Sequence, residues 1–412
     1  MRVAFVPGSY RPDRCGVSHY TAHLVAELQL RGIECLVVTT REAARHHGRP
    51  GVLGVTGGWG PEMLLPLALP IRRLNPDILH IQHAAGSFAF RRAVFWLVPV
   101  LRAIGWRGPV VVTLHEYGWW PWRPRLLGRA WDRLGPWGEA RGLWDREDFA
   151  LLTCAQLIIA THEATAEVLK ARLPRLAPRI QQIVIGSNIP VLATDVAAAR
   201  TWVREHHGWE PGAPVVVYFG FLHPVKGLET LLAAFGQVLA REPAARLLIV
   251  GGAESLALHG EEAERYTRRL KGMVQEMDLG SAVRLTGYLP DESVSRCLAG
   301  ADLGVLPFNG GLTMKSGSLL AMWSHGLPVV GTRPAQPPPE LEHTAWLVPA
   351  RNADALAAAL LKLLGDEATR GVLADRARRV ATGFDWGAIA DRHVEIYEAV
   401  SGWSPAACRS IT

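Results

Sequence analysis

Short, continuous apolar runs alternate along the chain with longer stretches in which apolar residues recur at helical spacing. The runs Val3–Val6, Glu34–Thr39, Ile78–Ile81, Val110–Leu114, Leu157–Ala160 and Ile183–Ile185 read as strands covered on both faces, because an unbroken apolar run suits a parallel strand buried from both sides. A second set follows at Val215–Phe219, Leu247–Val250, Val283–Thr286, Leu303–Leu306 and Val329–Val330. Between them Leu228, Leu231, Leu232, Phe235, Val238 and Leu239 form one apolar helix stripe. Val17–Leu30, Thr165–Leu173, Asp354–Leu364 and Ile389–Ala399 read the same way. Strand–helix alternation predicts the α/β class with doubly wound parallel sheets. The alternation restarts at Val215, after the 190–214 stretch and its own helix (Asp195–His207). Two Rossmann-like domains facing across a cleft are therefore expected, bounded at 1–192 and 193–385.

The 412 residues allow two or three domains of about 150 residues each. Half the chain is hydrophobic (49%) and 20% is charged, which excludes a wholly disordered chain. The formal charge of +6 is a mild basic bias. It gives no reason to expect nucleic acid, and suits a phosphorylated ligand or an anionic membrane surface equally. Cys15, Cys35, Cys154, Cys297 and Cys408 are odd in number and widely spaced, so a disulfide framework or zinc ribbon is not expected. The N-terminus lacks the long apolar stretch of a signal peptide, and Ala93–Val100 is too short to span a membrane. The expectation is a cytoplasmic protein, with the inner face of a membrane open to it.

Ligands of open α/β sheets bind beyond the carboxyl ends of the strands, so the chemistry is sought there. After the first strand, Gly8 to Gly16 forms a glycine loop opening a helix, where backbone can approach an anion or a sugar; a flexible turn is the plain alternative. It lacks the GxGxxG spacing of a dinucleotide site. His115 and Glu116 leave a buried strand, which fits either a substrate contact or a hydrogen-bonded core histidine. Gly220, Phe221 and then Lys226 precede the Leu228 helix. A lysine at a helix N-terminus attracts phosphate through its point charge and through unpaired N–H groups. Asn309, Thr313, Lys315, Ser316, Gly317 and Ser318 make a second such turn, where Ser316 or Ser318 also suits a helix cap. His19/His23 and His80/His83 have metal-pair spacings but no companion cluster, and no Asp-x-Asp dyad occurs, so no metal or cofactor is expected.

Between Trp119 and Trp144, six tryptophans interleave with Arg123, Arg125, Arg129, Arg133 and Arg141. This mixture suits a membrane interface, and equally an excursion whose rings are partly core.

Taken together, these blocks resemble the family-4 glycosyltransferases of the GT-B fold. The resemblance runs over almost the whole chain. It rests on Gly16, "VVTLHE" through His115, "VIGSN" at Val184–Asn188, "FGFLHPVKGLETLLAAF" through Lys226, "LLIVGG" ending at Gly252, "VRLTGYLPDE" through Tyr288, and "LLAMWSHGLPVVGT" up to Thr332. It implies a retaining transfer from a nucleotide-sugar held by the C-terminal domain. The acceptor would be a sugar or a lipid-linked hydroxyl in polysaccharide or glycolipid synthesis, and the last helix (386–400) would return to the N-terminal domain. By the same resemblance Lys226 neutralises the diphosphate, Gly16 admits it, His115 contacts the sugar and Tyr288 lies near the base. One departure stands out: where the family carries two glutamates for sugar and ribose, this chain has Leu312 and Leu320. Asn309, Thr313, Lys315 and Ser318 are the candidates to replace them. The departure also keeps alternatives open: a degenerate partner or scaffold subunit, or an isomerase or phosphorylase on the same fold.

Overall fold

The computed structural model describes residues 1–10, 15–48, 50–123, 128–255 and 257–402. Arg125, Cys408 and positions 11–14 of the first glycine loop lie outside the described residues. The chain divides into two compact units, one formed by residues 1–185 with 386–412 and the other by 186–385.

The N-terminal unit holds seven parallel strands: β1 (Arg2–Pro7), β2 (Glu34–Thr40), β3 (Val52–Thr56), β4 (Ile78–His83), β5 (Val110–Leu114), β6 (Leu157–Ala160) and β7 (Ile180–Gln182). Their order is β3-β2-β1-β4-β5-β6-β7. The second unit holds six parallel strands: β8 (Val215–Phe219), β9 (Arg246–Val250), β10 (Val283–Gly287), β11 (Leu303–Leu306), β12 (Val329–Thr332) and β13 (Ala345–Val348), in the order β10-β9-β8-β11-β12-β13. Each order reverses once, at β1/β4 and at β8/β11, which are the switch points of doubly wound sheets. The central strands are fully buried, and residues such as Val3, Phe5, Val111 and Ile159 face one core while Ala4, Ile81, Val112 and Ile158 face the other. This two-sided burial is why the sequence shows unbroken apolar runs.

Three expectations need correction. The last strand of the first sheet is Ile180–Gln182, not Ile183–Ile185: Ile158 and Ala160 pair with Ile180 and Gln182, and Ile183 N–H closes the ladder on Ala160 C=O at 3.1 Å. The outer strands β3 (VLGVT) and β13 (AWLV) add to the expected sets; each pairs with a neighbour on one side only and is only partly buried. The unit boundary falls at Ile185/Gly186, earlier than 192. Leu192 and Ala193 donate their N–H groups to Ser295 Oγ at 2.9 and 3.0 Å, and Asn188 packs on Gly317, which ties this segment to the second unit.

The helix Trp386–Ser401 belongs to the N-terminal unit. Its residues Ile389, Ala390, Ile396, Tyr397 and Val400 join the core face built on β1 and the helix Gly16–Leu30.

Candidate active site

In the second unit the loops leaving β8 and β11 meet at the switch point. After Phe219 the chain turns at Gly220 (φ +143°), makes a short turn at Pro224–Lys226, and enters the helix Leu228–Arg241 through Gly227 (φ +71°). Both glycines sit in backbone regions that a side chain disfavours. Contacts add a second reason. A Cβ on Gly227 would stand 2.0 Å from Pro307 O, and one on Gly220 would stand 2.7 Å from Ser318 Oγ. The two loops are therefore pressed backbone to backbone. Asn309 stitches them further, donating its N–H to Val225 O and its Nδ2 to Pro224 O, both at 2.9 Å.

Lys226 is half-buried in this junction, its Nζ 3.8 Å from the centre of the buried Phe308 ring. Burial away from water disfavours the ammonium and pulls its pKa down to about 8. The ring face offsets part of that cost through its quadrupole. A nearby anion would offset more.

The remaining polar groups frame the same end of the sheet. Ser316 Oγ caps the helix Gly317–Ser324 by accepting the Leu319 N–H at 3.3 Å. Gly317 is pinned by Asn188, whose Nδ2 would lie 2.2 Å from a Cβ there. Thr313 is exposed, and Lys315 and Ser318 are half-buried. Leu222 donates its N–H to Gly252 O at 3.0 Å, and the Tyr288 hydroxyl donates to Gly252 O (3.3 Å) and to Glu254 O. The Tyr288 ring leans edge-on to Phe221 with centres 6.3 Å apart, and a Cβ on Gly252 would run into it. Leu312 and Leu320 are fully buried, and Leu312 packs on Gly331. The side chains at these positions serve the core.

In the N-terminal unit, His115 and Glu116 leave β5, His115 half-buried and Glu116 exposed. His115 pairs through Nε2 with Gln82 Oε1 at 2.8 Å, and its backbone N–H is held by His83 O at 2.9 Å. Tyr20 packs edge-on against its ring at 4.8 Å. Gly16 opens the helix Gly16–Leu30, and no atom lies within 4 Å of where its Cβ would be. His80 and His83 sit three apart on one strand, so their side chains leave opposite faces and cannot share an ion. Among the described residues no group of three His, Cys, Asp or Glu side chains could hold a metal.

The tryptophan-rich segment is both core and surface. Trp131 is buried and stacks on Trp144 at 6.0 Å, while Trp119 and Trp137 are about half exposed. Beneath it lies a charged cluster. Arg172 contacts Glu139 and Asp145 at 2.8 Å and Glu147 at 3.2 Å, with all three carboxylates buried. Tyr117 donates to Asp145 and Gly118 N–H to Glu147, so the cluster anchors the chain directly after His115 and Glu116. Burial lifts the Asp145 carboxyl to about 6. No helix among the described residues is long and apolar enough to cross a membrane.

Phe308, Gln82 and Tyr20 are the residues that sequence reading missed. Only Gln82 leaves a trace there, as a polar position two after His80 in an otherwise apolar run.

Comparison with known proteins places this architecture. Residues 15–185 match the family described as Glycosyltransferase Family 4, and residues 213–366 match Glycosyl transferases group 1. Together they cover most of the chain, which belongs to glycosyltransferase family 4, and the protein is a glycosyltransferase. Among its relatives is a D-inositol 3-phosphate glycosyltransferase of Kineococcus radiotolerans, 25% identical over 93% of this chain and 90% of that one. A phosphatidyl-myo-inositol mannosyltransferase of Mycolicibacterium smegmatis is 29% identical over 55% of this chain and 56% of its own length. HepE of Anabaena, solved with UDP and glucose, shares the GT-B fold at a TM-score of 0.68 and 19% identity, over 97% of this chain and all of that one.

Proposed function

We propose that this glycosyltransferase takes its sugar from a nucleoside-diphosphate donor and passes it, with retained anomeric configuration and without a metal, to a hydroxyl of a lipid-linked acceptor. The observation that carries the donor assignment is Lys226. It is a desolvated lysine, backed by Phe308, at the switch point where two glycine-framed loops converge. Binding a diphosphate there stabilises the ammonium that burial otherwise penalises, so the site is complementary to charge that grows as the leaving group departs.

In this reading the bond from the anomeric carbon to the diphosphate oxygen breaks as the acceptor oxygen approaches on the same face, and the departing phosphate oxygen takes the acceptor's proton. His115 contacts the transferred sugar, with Glu116 beside it. Gly16 leaves room for a substrate group near the backbone, and Tyr288 lies near the base. With Leu312 and Leu320 in the core, sugar and ribose hydroxyls fall to Asn309, Thr313, Lys315 and Ser318. The relatives' inositol-phosphate and phosphatidyl-inositol acceptors, together with the exposed Trp119 and Trp137, the latter under Arg141, support a lipid-linked acceptor and a peripheral membrane contact.

Calorimetry with UDP-, GDP- and ADP-sugars tests the donor. One of them should bind the wild type in EDTA, and Lys226→Ala should lose that binding with its circular dichroism unchanged. Unaltered affinity in Lys226→Ala would remove the assignment. Proton NMR of the product's anomeric signal decides between retention and inversion.

A further inference from the structure

Four polar side chains interrupt the apolar face of the first sheet that packs on the helices Gly16–Leu30 and Trp386–Ser401. His80 and Gln82 alternate along β4, and Thr113 and His115 alternate along and just past β5. The parallel register sets Gln82 opposite Thr113. Residues two apart on a strand share a face, so all four line one side. His80, Gln82 and Thr113 are fully buried, as is Tyr397 on the terminal helix.

They form one hydrogen-bonded chain. His115 Nε2 meets Gln82 Oε1 at 2.8 Å. Gln82 Nε2 meets His80 Nε2 at 3.3 Å, and Thr113 Oγ1 meets the same nitrogen at 2.8 Å. His80 Nδ1 meets the Tyr397 hydroxyl at 2.6 Å. The directions of donation follow from the groups. The Gln82 amide nitrogen can only donate, so His80 Nε2 accepts, the His80 proton sits on Nδ1, and Nδ1 donates to the Tyr397 oxygen. At the other end the Gln82 carbonyl oxygen can only accept, so His115 carries its proton on Nε2. A second line reaches the same ring from the same helix. His393 Nδ1 donates to Ile389 O at 2.8 Å, leaving Nε2 to accept from Tyr20 (3.4 Å), and Tyr20 packs edge-on against His115.

We infer that Gln82 is a positioning residue that fixes the Nε2–H tautomer of His115, and that Tyr397, acting through His80, holds the Gln82 amide in the orientation this requires. The tautomer places the ring's lone pair on Nδ1. The inference rests on the assignment of His115 to the sugar site. Without the Tyr397 oxygen, the His80 proton has no acceptor at Nδ1 and moves to Nε2. Thr113 Oγ1, 2.8 Å from that nitrogen, accepts the moved proton, and the Gln82 NH2 at 3.3 Å now faces a donor; to relieve this the amide turns its NH2 to His115, and the His115 proton passes to Nδ1.

The test is 15N NMR of the full chain labelled in histidine, with the His115 ring signals identified by their loss in His115→Gln. The wild type should show Nε2–H as the dominant form. Gln82→Leu should lower the Nε2–H to Nδ1–H ratio by about fivefold, the equivalent of one ordinary hydrogen bond. Gln82→Glu, which keeps an acceptor, should retain the wild-type tautomer. Tyr397→Phe should shift the ratio in the direction of Gln82→Leu. A wild-type proton on Nδ1, or a ratio that Tyr397→Phe leaves untouched, overturns the relay. Activity is read separately: kcat should fall in Tyr397→Phe while KM for the donor holds. If the tautomer shifts and kcat does not, the relay stands and His115 leaves the sugar site.

Discussion

Lys226 concentrates the chemistry of the second unit in one side chain. Its lowered pKa, about 8, comes from burial, which disfavours the ammonium relative to the neutral amine. The sign follows directly. A lysine whose folded pKa lies below its unfolded one costs stability, in full below the folded value and progressively less as pH rises from there to the unfolded value. Donor binding runs the other way, because the diphosphate needs the cation. Affinity for a nucleotide-sugar should therefore fall as pH climbs from 7 to 9, with its inflection close to 8 in the apoprotein. Titrating calorimetric Kd against pH checks this. Lys226→Arg, cationic throughout the range, should give a flat profile. Sequence pointed to Lys226 because it stands beside a glycine at a helix entrance. Phe308 was illegible, since a phenylalanine after a strand looks like any core residue until the fold sets it under the ammonium.

At the level of elements, two loop-to-helix junctions and one buried ionic cluster hold the candidate groups. Gly227→Ala should be severe, because the new Cβ would stand 2.0 Å from Pro307 O on a backbone that already favours glycine. The β8 and β11 loops must then part, and donor binding should be lost by calorimetry while far-ultraviolet dichroism persists. Ser316→Ala removes the cap of the helix Gly317–Ser324 and should cost about 1 kcal/mol in urea unfolding. In the other unit Arg172 is the shared cation of three buried carboxylates. Arg172→Met strands them, and a loss of about 3–5 kcal/mol is expected from chemical denaturation. That same change should loosen the chain after His115. The strand–helix elements themselves were readable from periodicity. The edge strands β3 and β13, each paired on one side only and partly buried, are additions that only the structure made.

For the molecule as a whole, the terminal helix is part of the N-terminal core. Ile396 is buried there with Ile389 and Tyr397. Ile396→Ala should lower the melting temperature by about 5–15 °C in calorimetry, from a large-to-small loss of roughly 2–5 kcal/mol. The aromatic surface makes a separate prediction. Anionic liposomes should carry the protein up a flotation gradient, and Trp119→Ala with Trp137→Ala should leave it at the bottom. Recovery of that double variant with the vesicles would place the contact elsewhere or dismiss it.

Alternation of apolar runs and helical stripes was enough to establish two doubly wound sheets, since burial on both faces writes itself into every residue of a central strand. Glycines at strand ends likewise announced close backbone approaches before any coordinates. What periodicity could not supply was which side chains converge. The His80–Gln82 pair, Thr113 and Tyr397 lie far apart along the chain, and nothing in the local sequence links them. Only the parallel register of β4 with β5 and the return of the last helix join them to His115. The same holds for Lys226 and Phe308: local sequence fixes the shape of each loop, whereas the strand order decides which loops are neighbours.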